Sequence, residues 1–531
     1  MPSGFLRTDQ PIVTDAKSCE AWLARAALAD PRQACRELTG LLESLEETPD
    51  GAALDIVERL REPIFVAQTE HAKRFSMHPQ PLQDFEVAAF EQVCDLWTAL
   101  ASVYRRLLGS AVEDRSRTPT EHIAMLGQRA LDSVAELMLT HYRARREIDN
   151  EVWRDLHRLY QTADQQGIAL QTVPAGYRSK SVSTCAEVYV RALLLALANP
   201  YGHTLRELGW TRRWAAMWAY KVDLLPAAEN LLGYVVDLAG SAPPAWANTV
   251  SAVPALRVLE MSNLRRSVLS RVKKLESGVD PQTLSLGKDC VQPDVGRLLT
   301  QLARAWVETP VQRQFSRHAG ADRIELTSGI EPIHAAVSGR PFKSAVRHWD
   351  YSRRDAEQIH IHQGVAAAAA PGEGASGVPT EKWETLDESA TGFRLRRNGV
   401  GARLSLGQLV ALRPQNARAF ILSDVRWLMT GIDGSLLIGA AALPGLAKGV
   451  AVRPASTAKG APEPYARAFL LRGSGPQPVS IVLPSGWYQP ERELELRDEE
   501  EALTRVKLAG LVQRGYDYDR AMFSVSGAAS A

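Results

Sequence analysis

The sequence has 531 residues, of which 45% are hydrophobic and 23% are charged, and its formal net charge is +1. A chain of this length exceeds what a single hydrophobic core supports, so we expect about two to four domains. The near-zero net charge gives no overall electrostatic field that would recruit nucleic acid or an anionic membrane surface.

The N-terminus and the cysteines indicate a cytoplasmic protein. The first ten residues contain no apolar core of the length that a secretory signal needs. The longest purely apolar run of the first half, residues 192–198, is far shorter than the roughly 18 residues of a membrane span. The five cysteines are dispersed and include no CxxC pair, which favours reduced structural thiols over disulfides or a structural zinc.

Residues 1–310 have the pattern of one helix after another, and the region could form two subdomains. Residues 118–121, Thr-Pro-Thr-Glu, have the pattern of a capping box with proline at the first helical position. Residues 184–187 give a second capping box, and Asn199-Pro200 would end the helix that it opens. Strand-like alternation is nearly absent, so we predict an all-helical region.

A stripe of tryptophans lies within this helical region. Trp210, Trp214 and Trp218 recur at every fourth position, with Met217 beside them. Such a stripe could dock a partner, but aromatic residues at this spacing more often form the buried face of a helix. We therefore predict that the three tryptophans belong to the core.

After residue 310 the pattern changes to short apolar runs separated by turn residues, for example at 419–422 and 435–438. Residues 365–379 are dominated by alanine, glycine and proline, which is typical of a surface insertion. The sequence thus predicts an α+β multidomain protein with three parts: an all-helical region over 1–310, a β-domain over 311–455 with an insertion at about 338–380, and a small β-rich unit over 456–531.

Two short motifs in the β-domain carry groups that can bind a ligand. Arg313 and Arg317 form an RxxxR, and Asp387, Ser389 and Gly392 form a DxSxxG. Arginine forks can hold phosphates bidentately or stack on bases, and a carboxylate can accept hydrogen bonds from the N–H edge of guanine. The glycine permits a positive φ or a close approach of ligand to backbone. Because the chain has no Walker A loop, a cyclic dinucleotide suits these groups better than a nucleoside triphosphate.

An RxxxR followed by a DxSxxG resembles the signature of PilZ domains, the receptors of cyclic di-GMP in bacterial signalling. The resemblance implies an antiparallel β-barrel on which Arg313 and Arg317 wrap the phosphates and guanine faces of the ligand. Asp387, Ser389 and Gly392 would hold a guanine edge. In such proteins the ligand often orders the arginine loop, which changes the contact with a neighbouring domain.

The chain departs from this family pattern in the spacing of the motifs, because Arg317 and Asp387 lie 70 positions apart. PilZ domains normally have only one or two short strands there, so the excess is the predicted insertion. A long surface insertion costs little closure entropy, and the barrel can tolerate it. Three further arginines, Arg394, Arg396 and Arg397, could add positive potential or simply form a solvated strand face.

The leading hypothesis is a regulatory protein that binds cyclic di-GMP and passes the signal to its helical region or to a protein partner. The alternative is a helical interaction scaffold whose PilZ-like domain no longer binds ligand. The chain contains no GxSxG, HExxH, P-loop or kinase signature, so we expect no enzyme. We likewise expect no cofactor, no metal site and no nucleic-acid polymer as partner.

Overall fold

The computed structural model describes most of the chain, namely residues 13–26, 29–174, 182–227, 233–247, 253–307, 318–319, 323–339, 342, 378–389, 391–415, 417–455, 463–473, 479–498 and 502–528. The chain divides into two compact units, Met1–Gln312 and Arg313–Ala531. Each unit is described by itself.

The first unit is built mainly from helices. Their bounds are α1 (Ala16–Leu23), α2 (Pro31–Ser44), α3 (Asp50–Ala72), α4 (Asp84–Glu113), α5 (Thr120–Ala144), α6 (Asn150–Gln165), α7 (Cys185–Leu197), α8 (Leu205–Trp218), α9 (Ser262–Glu276) and α10 (Asp294–Val307). Helix α5 lies at the centre of the core, and most of its residues are buried. A large apolar cluster joins these helices into one hydrophobic core.

Of the two predicted capping boxes, one forms and the other does not. The box at the start of α7 is confirmed: the Glu187 N–H donates to Thr184 Oγ1 at 3.0 Å, and the Thr184 N–H donates to Glu187 Oε2 at 3.1 Å. The box predicted at 118–121 is wrong, because the N-cap of α5 is Pro119, which has no side-chain acceptor. The Thr120 hydroxyl instead accepts a hydrogen bond from Arg115 at 3.2 Å.

The helical unit also contains strands that the sequence pattern did not predict. Their bounds are β1 (Val173–Pro174), β2 (Val182–Ser183), β3 (Asp223–Pro226), β4 (Tyr234–Asp237), β5 (Ala245–Trp246) and β6 (Leu256–Glu260). The last four form an antiparallel sheet in the order β3-β6-β4-β5. Strands of two to five residues are too short to show a clear alternation, so the pattern could not reveal them.

The tryptophan stripe forms part of the core, as predicted. Trp210, Trp214 and Trp218 are each at most 1% exposed. Successive rings stack with centroids 6.2 Å apart, and Trp306 of α10 packs edge-on against Trp218. Within the part of the chain that the structure describes, no helix is long and apolar enough to cross a bilayer.

The second unit is rich in strands. Their bounds are β7 (His318–Ala319), β8 (Arg323–Ser328), β9 (Glu381–Ser389), β10 (Gly392–Arg397), β11 (Leu409–Pro414), β12 (Ile421–Thr430), β13 (Leu436–Ala442), β14 (Leu446–Pro454), β15 (Ala466–Arg472), β16 (Ser480–Pro484), β17 (Glu493–Arg497), β18 (Leu503–Arg514) and β19 (Tyr518–Ala528). One helix, α11 (Ile330–Ser338), follows β8. Most of the insertion predicted at about 338–380 lies outside the described residues.

Six strands of this unit close into a first antiparallel barrel. Its order is β8-β9-β10-β13-β12-β11, and β11 pairs back onto β8. Strand β7 adds to the edge of β9 that also binds β8. The inward residues alternate with outward ones, as in β10, where Phe393, Leu395 and Arg397 are buried.

The remaining six strands close a second antiparallel barrel in the order β14-β15-β16-β19-β18-β17, with β14 pairing onto β17. Strand β14 ends at Pro454, so the predicted boundary at residue 455 falls after the first strand of this barrel. A helical region followed by a β-rich region with two six-stranded barrels confirms the predicted α+β multidomain class.

The two barrels share an interface that contains buried polar groups. The turn between β18 and β19 reaches the first barrel: the Tyr516 N–H donates to Gly407 O at 2.7 Å, and the Leu409 N–H donates to Asp517 Oδ1 at 2.9 Å. Gly407 has a φ of +73°, a conformation that favours glycine. Nearby, Asp424 is 1% exposed and accepts hydrogen bonds from Gln513 and Tyr518. Burial raises the pKa of the Asp424 carboxyl above its usual range.

Replacing Asp424 with asparagine should flatten the pH dependence of folding stability. A raised pKa in the folded state means that the fold favours the neutral acid. The contribution of Asp424 to folding stability is therefore complete below the unfolded pKa of about 4 and is lost as the pH rises through the folded pKa. Urea unfolding of both proteins from acidic to neutral pH measures this. We expect the unfolding free energy of Asp424→Asn, relative to that of the parent protein, to increase with pH. A difference in unfolding free energy that does not change with pH would contradict this prediction.

Candidate binding site on the first barrel

The predicted DxSxxG motif spans the junction of two neighbouring strands. Asp387 and Ser389 lie at the end of β9, and Gly392 is the first residue of β10. The strands run antiparallel, with Ser389 opposite Gly392 and Asp387 opposite Arg394. The structure therefore brings the three predicted residues of this motif together at one end of the barrel.

The strand pairing places Arg394 next to this motif. Its Nη1 lies 3.9 Å from Asp387 Oδ2, and the two side chains are partly exposed. The Arg394 Nε is buried and has no hydrogen-bond partner among the described residues. Beside it, the Ser389 hydroxyl donates to the Gly392 carbonyl oxygen at 3.3 Å. The junction thus offers a carboxylate, a hydroxyl and a guanidinium within one small surface.

Gly392 is not required by the backbone geometry. Its φ lies outside the left-handed region, and a Cβ added there would lie 3.5 Å from Ala440 O and 3.6 Å from Ser389 Oγ, which is ordinary van der Waals contact. A positive φ is therefore not the reason for this glycine.

The three arginines of β10 have different roles. Arg396 pairs with Glu384 on the outer face of the barrel, through contacts of 3.0 and 2.8 Å. Arg397 is 4% exposed, donates to Glu381 at 2.5 Å and lies over the ring of Trp383. Strand alternation separates Arg397 from the other two. The regular register of the β9–β10 hairpin places Arg394 opposite Asp387, and the bulge between these strands comes only after Arg394.

The predicted RxxxR, Arg313 and Arg317, lies outside the described residues. The chain that follows it is described: β7 pairs with the end of β9, so that His318 is opposite Glu388 and Ala319 is opposite Asp387. The polypeptide therefore enters the first barrel beside the DxSxxG motif. Among the described residues no cluster of histidine, cysteine or acidic side chains could hold a metal ion.

Comparison with known proteins places this geometry in context. Both ends of the chain match models of the FimW family. The model described as "Cyclic-di-GMP receptor FimW, N-terminal domain" matches residues 17–228, and the model described as "FimW C-terminal beta-barrel domain" matches residues 450–526. The second FimW match begins within β14 and ends within β19, so it covers the second barrel.

A curated relative covers most of the chain. The protein named "Cyclic-di-GMP receptor FimW" from Pseudomonas aeruginosa is 21% identical over 492 residues, covering 82% of this chain and 80% of its own length. No solved structure matches the chain. Asp387, Ser389, Gly392 and Arg394 lie between the two FimW matches, within the first barrel.

Proposed function

We propose that this protein is a cyclic di-GMP-binding regulator whose ligand site lies at the β9–β10 junction of the first barrel. The name of the Pseudomonas aeruginosa relative supports the ligand. In this proposal Arg313 and Arg317 hold the phosphates and the guanine faces, while Asp387, Ser389 and Gly392 hold a guanine edge. The role is binding and signalling in the cytoplasm, without catalysis.

The pairing of β7 with β9 is the observation that carries the proposal. Arg317 is bonded to His318, and His318 lies opposite Glu388 in the strand register. Consecutive Cα atoms are about 3.8 Å apart and β7 neighbours β9, so we propose that Arg317 lies close to the acidic motif. Arg313 is four residues further, a span of at most about 14 Å. Both guanidinium groups can therefore reach the junction despite the 70 positions between the motifs.

The described side chains suit a phosphate-bearing purine. The Asp387 carboxylate can accept hydrogen bonds from the N–H edge of guanine, and the Ser389 hydroxyl can donate or accept. Arg394 adds a third guanidinium, whose buried Nε lacks a partner among the described residues. A buried donor without a partner is costly, and a ligand oxygen would satisfy it.

The regulatory step requires that the ligand bind one conformation better than another. Contacts of Arg313 and Arg317 with the ligand phosphates would supply such a difference if only one conformation can form them. The changed surface would then be recognised by the helical region or by a protein partner.

Isothermal titration of the full chain with cyclic di-GMP tests the proposal. We expect saturable heat, and Asp387→Ala should weaken binding about tenfold or more because a hydrogen bond to a charged group is lost. Asp433→Ala is the matched control: this acidic residue lies in the β12–β13 turn, at the other end of the same barrel. No heat at high micromolar ligand, with the protein folded, would contradict the proposal and favour the scaffold alternative.

A further inference from the structure

A basic pocket lies on the surface of the helical unit, where the 3-10 turn Ala219–Lys221 meets the first turns of α9. Its volume is about 500 Å³. The lining includes three cationic side chains, Lys221, Arg266 and Arg271, and no carboxylate of a described residue. Because the net charge of the whole chain is only +1, this local excess of positive charge is not a property of the composition.

Among the described residues, none forms an ion pair with Lys221, Arg266 or Arg271. Arg271 donates to the Leu284 carbonyl oxygen at 3.3 Å and to Ser267 Oγ at 2.7 Å, and it lies 5.3 Å from the Trp218 ring centroid. All of these partners are neutral. Arg266 is exposed and forms no ion pair with any residue that the structure describes.

Other arginines of the same unit behave differently. Arg213 forms a bidentate pair with Asp289, at 2.5 and 2.8 Å, and Arg257 pairs with Asp164 at 3.0 Å. Like charges gathered in one lining repel each other, and a bound anion would offset that repulsion. The fixed guanidinium of Arg271 is already held in place, so little conformational entropy would be lost when it binds an anion.

The pocket also presents an aromatic surface. Tyr220 is 63% exposed, although it directly follows the buried Trp218–Ala219 segment. The Lys221 ammonium lies 4.6 Å from the Tyr220 ring centroid, so the ring and the cation form one surface. Exposed aromatic rings beside cations are the features by which proteins bind bases and phosphates together.

We propose that this pocket binds a nucleotide, with Lys221, Arg266 and Arg271 contacting the phosphate and Tyr220 stacking on the base. The volume lies in the range of small-molecule sites. The hydroxyls of Ser267 and Ser270 line the same wall and can donate to phosphate oxygens. The pocket belongs to the first unit and the barrel site to the second, so this inference does not depend on the proposed function.

Equilibrium dialysis of the full chain against 5′-GMP, pyrophosphate and guanosine tests this inference. We expect 5′-GMP to bind more tightly than pyrophosphate or guanosine, because only the nucleotide uses both the cations and the ring. The double variant Lys221→Glu/Arg266→Glu should lower 5′-GMP affinity by about tenfold or more. Arg265→Glu is the matched control, because this exposed arginine is next to Arg266 in sequence but does not line the pocket.

One further variant separates the outcomes. Tyr220→Ala should remove the preference for 5′-GMP over pyrophosphate. An equal loss with Arg265→Glu, or no 5′-GMP binding at millimolar concentration, would overturn the proposal.

Discussion

Replacing Arg313 and Arg317 together with alanine should lower the affinity for cyclic di-GMP by at least about a hundredfold. Each charge-assisted fork to a phosphate is worth about 1.5–3 kcal/mol, and a factor of ten in affinity corresponds to about 1.4 kcal/mol. The loss should exceed that of the single variant Arg317→Ala. Isothermal titration measures both, with circular dichroism to verify that each variant is folded.

Two companion variants make this result specific to the site. Arg505→Ala removes an exposed arginine of the second barrel and should leave the affinity unchanged. Gly392→Ala adds only a methyl group in ordinary van der Waals contact with the fold, so it should weaken binding without lowering stability. Unchanged affinity in the double arginine variant would show that the ligand, if it binds, is held elsewhere.

Replacing Trp214 with alanine should destabilise the helical unit by about 3–5 kcal/mol. The side chain is 0% exposed and is stacked between Trp210 and Trp218. Its Nε1 also donates to the Leu286 carbonyl oxygen at 2.8 Å, and the substitution removes this hydrogen bond. Urea unfolding followed at 222 nm reports this transition, because most described helices belong to the first unit.

The exposed Tyr220 provides the control for this stability prediction. It follows the same helix and is 63% exposed, so Tyr220→Ala should change the unfolding free energy by less than about 0.5 kcal/mol. Equal effects of the two substitutions would contradict the assignment of the tryptophan stripe to the core.

The sequence predicted those features that depend on local chemistry. The capping box at Thr184 and the buried stripe that contains Trp214 both follow from spacing along a single helix. The DxSxxG motif was found because its residues are close in the chain and form one strand junction. These are short-range patterns, and each fixes its own structure almost independently of the remaining fold.

Features that depend on partners distant in sequence were not predictable. The basic pocket brings Lys221 next to Arg266, which lies 45 positions later in the chain. The buried Asp424 finds its partners Gln513 and Tyr518 about 90 positions away. Pairings of this kind are decided by tertiary packing, which overrides local propensity.

The apolar cluster shared by the two barrels limits how this half of the chain can be divided. Leu409 and Leu422 of the first barrel pack in one buried cluster with Phe469 and Val482 of the second, and Ile333 of α11 lies in the same cluster. A fragment that ended at residue 455 would expose this apolar face to water and invite aggregation. The two barrels together are therefore the smallest part of this half of the chain that is suitable for isolated expression. Ligand measurements on the first barrel alone would be made on a fragment whose apolar cluster is exposed.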